Sequence, residues 1–418
     1  MSDNAEKTTF DLIIVGAGMV GAALGCALAE AGFEVCLLEA REPQREWPRE
    51  EVDLRVSALS RASQQLLENL GVWPRMAELR VSPYTDMHVW DAGGQGSIHF
   101  SAADIGEPDL GHIVENRVTQ LALWERLGQL TNVTRLCPAR LAGLQLQGGP
   151  QVTLEDGRVV RGRLIVGADG RDSRVRRLAG IPSQGWDYDQ HAIVATVRPQ
   201  RHHRETAWQR FMPSGPLALL PIADGRCSIV WSTSPQRAEA LMQLDEAGFR
   251  QELTLASEAI LGEIEAVGPR GVFPLRLGHA RDYVREGLAL VGDAAHAVHP
   301  LAGQGVNLGF LDAACLAEVL IEARRRHRGI ASLATLRRYE RSRKGANLLM
   351  LGVMDLFKRF FSNDLPPLRL ARNLGLELVD RAGPLKNLII RRAMGLEGEL
   401  PALARNRPSG SPEGRQAQ

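Results

Sequence analysis

Phe10-Asp-Leu-Ile-Ile-Val-Gly-Ala-Gly-Met-Val-Gly21 is the stretch on which the fold turns. Its first six residues have the length and branching of a strand buried on both faces. An Ala/Leu-rich segment with the composition of a helix then runs to about Ala31, and Gly32 stops it. Glu34-Val-Cys-Leu-Leu38 reads as a second buried strand ending at Glu39, so the whole is a βαβ unit. Glycine turns are common, and a lone GxGxxG says little. The strand before it, the helix after it and an acidic residue 21 positions beyond Gly18 make this one a dinucleotide site. Gly16 permits the tight turn, Gly18 lets the backbone approach a pyrophosphate, and Gly21 allows the helix to pack closely on the strand. The helix N-terminus faces the phosphates with its partial positive charge. Glu39 is placed to accept hydrogen bonds from a ribose 2′-OH, and a carboxylate there disfavours a 2′-phosphate.

Outward from this unit, Arg163-Leu-Ile-Val-Gly167 and Leu288-Ala-Leu-Val-Gly292 read as further buried strands returning to the same sheet. Between them lie short, alternating, Gly-punctuated runs: Met87-His-Val-Trp90, Ser97-Ile-His-Phe100, Ala192-Ile-Val-Ala-Thr-Val197, Leu217-Ala-Leu-Leu220 and Cys227-Ser-Ile-Val-Trp231. The expected fold is α/β. A discontinuous Rossmann-like nucleotide domain takes residues 1–82, 107–184 and 273–345, and an antiparallel sheet domain is inserted as 83–106 and 185–272. A helical C-terminal region follows over 346–400, and the polar, Pro/Gly-rich 401–418 reads as a disordered tail.

Composition narrows the function classes. The 418 residues predict two or three domains at ~100–200 residues each. Fifty Lys+Arg against 49 Asp+Glu leave a net charge of +1, without the basic excess of a nucleic-acid binder. That average conceals an asymmetry, because residues 321–395 carry 17 basic and 6 acidic side chains, a net of +11. Five cysteines with no CxxC pair argue against a disulfide framework and for a reducing compartment. The N-terminus lacks the pattern of a secretory signal, and no uncharged apolar run of ~18 residues is present, so the expectation is a cytoplasmic protein, at most peripheral to a membrane. The ten histidines give no HxxxH or Cys/His cluster, so no metal is expected.

Two later segments specify the dinucleotide. Val166-Gly-Ala-Asp-Gly-Arg-Asp-Ser-Arg-Val-Arg176 follows a strand, and the segment from Leu290 to Asn307 combines a strand end, a Gly-rich loop and a helix start. With the first glycine loop they resemble, over residues 10 to 345, the three fingerprints of the single-component aromatic hydroxylases that use FAD, the family typified by para-hydroxybenzoate hydroxylase. The resemblance implies FAD held along its full length. Gly16, Gly18, Gly21 and Glu39 would hold the AMP half, and Asp293 the ribityl and pyrophosphate region. The backbone of Gly303, Gly305, Val306 and Asn307, at a helix N-terminus, would face the flavin pyrimidine edge, where negative charge develops on reduction. Asp169 matches a position associated with flavin and nicotinamide binding, and it suits equally a turn aspartate ahead of Gly170. Arg55, within Leu54-Arg-Val-Ser-Ala58, and Arg117, within Glu115-Asn-Arg-Val-Thr-Gln-Leu, match positions where an arginine contacts the cofactor. No second GxGxxG unit is present, which suits a family whose NAD(P)H visits transiently as electron donor.

A narrower resemblance runs nearly end to end. Leu54-Arg-Val-Ser-Ala-Leu59, Leu110-Gly-His-Ile-Val-Glu-Asn116, Cys227-Ser-Ile-Val-Trp231, His299-Pro-Leu-Ala-Gly-Gln-Gly-Val-Asn-Leu-Gly309, Leu336-Arg-Arg-Tyr-Glu-Arg-Ser-Arg-Lys344 and Arg391-Arg-Ala-Met-Gly395 resemble the ubiquinone-biosynthesis hydroxylases. They are most similar to the branch that oxygenates 2-polyprenylphenols at ring C5. Sister branches share the fingerprints and act at other ring positions. The implied reaction uses NAD(P)H and O2 and passes through a flavin C4a-hydroperoxide whose distal oxygen attacks an electron-rich phenol ring. Water must be excluded for that species to survive. The flavin-facing loop with Pro300, Gly303 and Gly305 is expected to form one side of the enclosure.

Tyr188, Gln190 and His191 are candidates on the sheet to help deprotonate the phenol, each as readily a structural or surface residue. Phe211, Leu219, Pro221 and Trp231 are candidate walls for an isoprenoid-bearing ring, and sheet core is the competing reading. The apolar stretch Asn347–Phe361, flanked by Arg341, Arg343, Lys344, Lys358 and Arg359, reads as a packed helix, an oligomer contact or an interfacial element that meets anionic lipid. Other ubiquinone-biosynthesis proteins are possible partners. A flavin reductase or dehydrogenase acting on an isoprenoid substrate, and a flavin-binding assembly subunit without turnover, remain open as alternatives.

Overall fold

The computed structural model describes residues 9–92, 96–297, 305–361 and 382–405. Pro300 and Gly303, and the tail beyond Arg405, lie outside the described residues, as do the side chains of Tyr188 and of residues 353–361. Two large sheets organise the chain. In the first, β1 (Phe10–Val15) is central and parallel to β2 (Val35–Leu38) on one side and β11 (Val159–Gly167) on the other. β8 (Val133–Leu136) extends it beyond β2; β18 (Leu288–Leu290) and β17 (Val284–Arg285) extend it beyond β11. A hairpin of β9 (Leu141–Gln145) and β10 (Gln151–Leu154) pairs onto β11. The unbroken apolar runs are explained by cover on both faces: Leu12, Ile13 and Ile14 have no exposed surface. The helix Met19–Glu30 packs against the helices Asn116–Gln129 and Gly305–Arg325.

The second sheet joins the two insertions. Its order is β19 (His296–Ala297), β16 (Ile264–Ala280), β12 (Ser183–Pro199), β15 (Cys227–Thr233), β14 (Leu217–Pro221), β13 (Thr206–Phe211), β5 (Asp86–Asp91) and β6 (Ser97–Ser101). Every pair is antiparallel except β13 with β5. That pair is where strands from separate insertions meet without a hairpin to set their direction. A small third sheet of β3 (Val56–Leu59), β7 (Gly111–Glu115) and β4 (Ser82–Tyr84) sits beside them.

Two boundaries differ from the sequence expectation. β16 continues paired with β12 to Ala280, well past residue 272. Pro269, Pro274 and three glycines make this strand look like a series of turns, whereas its pairing with the long β12 keeps it extended. The start of the tail is also ordered. Ala402–Ala404 forms a 3₁₀ turn against the helices Arg61–Asn69 and Gly305–Arg325; Ala404 is buried, and Asn69 Nδ2 donates to Leu403 O at 2.8 Å.

Period-2 alternation gives the second sheet two different faces. Ile193, Ala195, Leu217, Leu219, Ile229 and Trp231 pack with Phe249 and Leu253 beneath the helices Pro235–Gln243 and Glu246–Ala256. Ala192, Val194 and Val230 point the other way, into the cleft between the sheets.

Candidate functional site

A cleft of about 930 Å³ opens at the C-terminal ends of β1, β2 and β11 and runs to the second sheet. This is near the upper end of the ~300–1,000 Å³ usual for small-molecule sites. Gly16 has φ +100, and a Cβ on it would lie 2.5 Å from Ala168 O. Gly18 caps the helix Met19–Glu30 without a side-chain bond, and a Cβ on it would meet nothing within 4 Å. The helix N-terminus therefore opens directly on the cleft with its amides uncapped, as an anion site requires. Glu39 stands at the end of β2, where its carboxylate accepts from Ala17 N at 2.7 Å and Ala40 N at 2.8 Å. It fastens the glycine loop to the second strand while still lining the cleft.

The two later motifs converge on the same space. Asp169 lines the cleft, yet its carboxylate caps the short helix Arg174–Leu178, accepting from Ser173 Oγ, Arg174 N and Val175 N. Its hydrogen bonds are those of a helix cap, a role the sequence reading did not name. Arg176 then staples its motif to the next, donating to Ala294 O and Arg171 O, both at 2.8 Å. Asp293 lines the cleft within the turn Gly292–Ala294. It keeps an exposed face on the cleft, and desolvation by the surrounding residues raises its carboxyl from the ordinary carboxylate range, against the pull of His296, Arg55 and Arg171. Asp293→Ala is expected to weaken FAD binding about tenfold to a hundredfold, the worth of one charge-assisted hydrogen bond, measured by flavin fluorescence on reconstitution. An unchanged Kd would remove Asp293 from the site.

Gly16, Gly18, Glu39, Arg55, Asp169, Asp293, Gly305 and Val306 are thus brought to one cleft. Gly21 lies behind it, where a Cβ would come 2.0 Å from Gly16 O, so its part is packing. Asn307 ties the helix Gly305–Arg325 to the third sheet: its Oδ1 accepts from Ser60 N and Ser63 Oγ, and its Nδ2 donates to Ala58 O. The cofactor contact expected of Arg117 does not match its placement. Its guanidinium is buried, bonded to Glu115 and Glu51 and stacked 4.5 Å from the Trp47 ring. The same helix instead presents Asn116 and Gln120 to the cleft.

The substrate-wall candidates need a larger correction. Leu219, Pro221 and Trp231 share the helix-covered face of the second sheet, away from the cleft. Phe211 packs with Val89 and Ile98 in a separate cluster. The strands of Leu219 and Trp231 are identified from their apolar runs and that of Phe211, Thr206–Phe211, is not, and which alternate residues face the cofactor depends on which face the helices cover. The walls that the sheet supplies are Ala192, Val194, Val230, Phe273 and Leu275. His191 has the parity of Ile193 and belongs to the far face, while Gln190 has the parity of Ala192.

Asp312 is a residue that sequence reading missed. It is fully buried in the helix Gly305–Arg325 and gathers His296 Nε2, Gly292 N at 3.1 Å, Arg343 Nε at 2.8 Å and Asn347 Nδ2 at 3.1 Å. Burial alone would raise its pKa; the charges and hydrogen bonds of His296 and Arg343 outweigh burial and hold it down at about 2. The signal in the sequence was a lone acid within Leu308-Gly-Phe-Leu-Asp-Ala-Ala-Cys-Leu316, since a charge in so apolar a helix needs partners. Its role is to lock the turn bearing Asp293 to the start of this helix. Arg140 and Arg171 also line the cleft without having been foreseen.

Residues 9–349 match a family of FAD-binding domains. The chain is 42% identical over 387 residues to the 3-demethoxyubiquinol 3-hydroxylase of Escherichia coli, covering 92% of this chain and 98% of that one. The chain belongs to the FAD-dependent ubiquinone-biosynthesis hydroxylases. The ubiquinone hydroxylase UbiL of Rhodospirillum rubrum is also 42% identical, over 98% of this chain and 95% of its own. The p-nitrophenol 4-monooxygenase PnpA of Pseudomonas putida shares the fold, with a TM-score of 0.77 at 20% identity, covering 94% of this chain and 99% of that one. This hydroxylase is therefore an FAD-dependent monooxygenase. The cleft fits that cofactor, with an uncapped helix N-terminus, an open glycine and a carboxylate at the end of β2 along one continuous groove. When bound, FAD supplies the activated oxygen for transfer to a ring, taking its electrons from NAD(P)H. The chain itself contributes orientation, a wall that excludes water and charges that stabilise the ends of the cofactor.

Proposed function

We propose that this hydroxylase adds one oxygen of O2 to the phenolic ring of a polyprenylated ubiquinone precursor, at ring C5. The observation that carries the substrate class is the wall opposite the glycine loop, where Ala192, Val194, Val230, Phe273 and Leu275 offer an apolar surface to a ring. In this reading Gly16, Gly18 and Glu39 hold the AMP half of FAD, Arg55 and Asp293 the middle, and the backbone at Gly305 and Val306 the flavin edge. C5 follows from the sequence resemblance. A second reading, oxygenation at the position vacant in a demethoxyubiquinol, is favoured by the 42% identity to the E. coli enzyme of that name. Deleting the gene in a quinone-producing bacterium and identifying the accumulated intermediate by mass spectrometry separates the two. Accumulation of 2-polyprenylphenol supports C5; accumulation of a methoxylated demethoxyquinol assigns the second position.

Contact with anionic lipid through the basic C-terminal region is part of the same proposal. No helix among the described residues is long and apolar enough to cross a membrane. The helix Leu333–Phe361 nevertheless leaves Leu348 47% and Leu349 68% exposed, near Arg341 and Lys344. Exposed leucines beside cations are the pattern of an interfacial element. Leu348→Ser with Leu349→Ser is expected to reduce sedimentation with anionic liposomes severalfold while the FAD content stays full. Undiminished sedimentation would remove this face from the proposal.

A further inference from the structure

We propose that Gln190 fixes the substrate ring by accepting a hydrogen bond from its phenolic hydroxyl through Oε1. The inference rests on the reading above that the substrate is a phenol, and it adds how the ring is oriented and which oxidation state is accepted. Gln190 stands immediately after a bulge in β12, where the pairing with β16 slips between Asp187 and Gln190. Asp189, the residue before it, has φ +50, a left-handed conformation that is uncommon outside glycine. Bulges of this kind re-aim side chains and cluster beside active sites. From Gln190 to Ala195 the register is regular, with Gln190 opposite Leu275 and Ala192 opposite Phe273. Gln190 therefore projects from the face that carries Ala192 and Val194, beside Leu275, and those three residues line the cleft.

The amide is held in one orientation. Its Nε2 donates to Ser214 O at 3.0 Å, and the side chain is buried, with the residue 8% exposed. Gly215 next to that carbonyl has φ +135, and a Cβ there would lie 3.1 Å from Nε2, so the β13–β14 turn is fitted around this amide. Oε1 is left buried with no hydrogen-bond partner among the described residues. Buried side-chain acceptors are nearly always paired, so an orphan set beside a ligand cleft points to a donor that arrives with the ligand. An amide oxygen only accepts, and Gln190 has no basic group, so the residue positions the ring and does not deprotonate it. A quinone carbonyl offers no proton to Oε1. The site would therefore select the phenol or quinol over the oxidised quinone.

The test compares binding of a short-chain 2-prenylphenol and its methyl ether to the FAD-loaded enzyme, followed by flavin fluorescence. The wild type is expected to bind the phenol at least tenfold more tightly than the ether. Gln190→Met, similar in length and without an acceptor, is expected to lose that preference by weakening the phenol while the ether is unchanged. A structural role alone would weaken both ligands together. Preference retained in Gln190→Met overturns the proposal while leaving the phenol reading intact. A wild type that binds neither compound, and whose NAD(P)H oxidation the phenol does not stimulate, overturns the phenol reading and the proposal with it. Should Gln190→Met fail to hold FAD, Gln190→Glu decides. A carboxylate beside the hydroxyl opposes phenolate formation, so the alkaline limb of the turnover profile should move to higher pH, and an unmoved limb overturns the proposal.

Discussion

Gly21→Ala is expected to give protein that folds with little or no bound flavin, visible at once as loss of the yellow absorbance relative to the 280 nm band. The added methyl would stand 2.0 Å from Gly16 O and 2.9 Å from Ala168 Cβ. Neither neighbour yields easily, because Gly16 N is itself donated to Leu38 O at 2.8 Å and Ala168 N to Val15 O at 2.8 Å. The helix Met19–Glu30 must then lift from the strand ends, and its N-terminal amides leave the position where they would meet a pyrophosphate. Overpacking of this kind costs about 1–3 kcal/mol of stability, which a domain of this size survives. Gly18→Ala is the informative contrast. A Cβ there meets no protein atom, so the apo protein should melt as the wild type does while FAD binding weakens, because the methyl stands in the cleft. Full flavin occupancy in Gly21→Ala would contradict the assignment of this loop.

The second large effect is expected at Asp312. Asp312→Ala leaves the guanidinium of Arg343, 5% exposed, without its carboxylate and releases Gly292 N and His296 together. Removing one partner of a buried ion pair costs about 3–5 kcal/mol, so thermal denaturation should fall by many degrees. FAD should be lost as well, since the turn bearing Asp293 is no longer tied to the helix. Asp312→Asn with Arg343→Met leaves no buried guanidinium without its carboxylate and should recover part of the melting temperature. The pH dependence carries the same signature. The Asp312 carboxyl is depressed from 3.8 to about 2 in the fold, so its contribution to stability is complete above about pH 4 and fades as pH falls toward 2. Acid unfolding of the wild type should therefore steepen over that interval, and the double variant should lack this component. Equal melting of Asp312→Ala and wild type at neutral pH would show that the cluster does not hold the turn.

Much of the frame was legible in the residues, and the limits of that reading have physical causes. The buried stretches Leu12–Val15, Val35–Leu38, Leu164–Gly167 and Leu288–Leu290 of β1, β2, β11 and β18 announce themselves as short uncharged apolar runs because both faces are covered there. Gly16 and Gly18 could be placed because their roles follow from local backbone geometry. Leu219 and Trp231 could not, since a strand's alternation shows that it has two faces and not which one the helices Pro235–Gln243 and Glu246–Ala256 will cover. Arg117 is a similar case. A buried arginine is equally at home on a cofactor or on Glu51, Glu115 and Trp47, and only the three-dimensional neighbours decide. His296 is served by a carboxylate 16 residues away on the next helix, a separation at which no spacing in the sequence signals the pair. Asp169 lines the cleft as the sequence resemblance implies, while its carboxylate is engaged by the start of the helix Arg174–Leu178, a role that the reading as a turn aspartate ahead of Gly170 did not contain.

The central claim is oxygen insertion into a phenolic ring held beside flavin. It is tested most directly by turnover of the FAD-loaded enzyme with NAD(P)H, a 2-prenylphenol and ¹⁸O2, followed by mass spectrometry of the product. One ¹⁸O per product molecule, on the ring, is the expected result. A product reduced or dehydrogenated without label would make the protein a flavin reductase or dehydrogenase, and bound FAD with no substrate-dependent NAD(P)H oxidation would make it a subunit without turnover; either result would contradict the account.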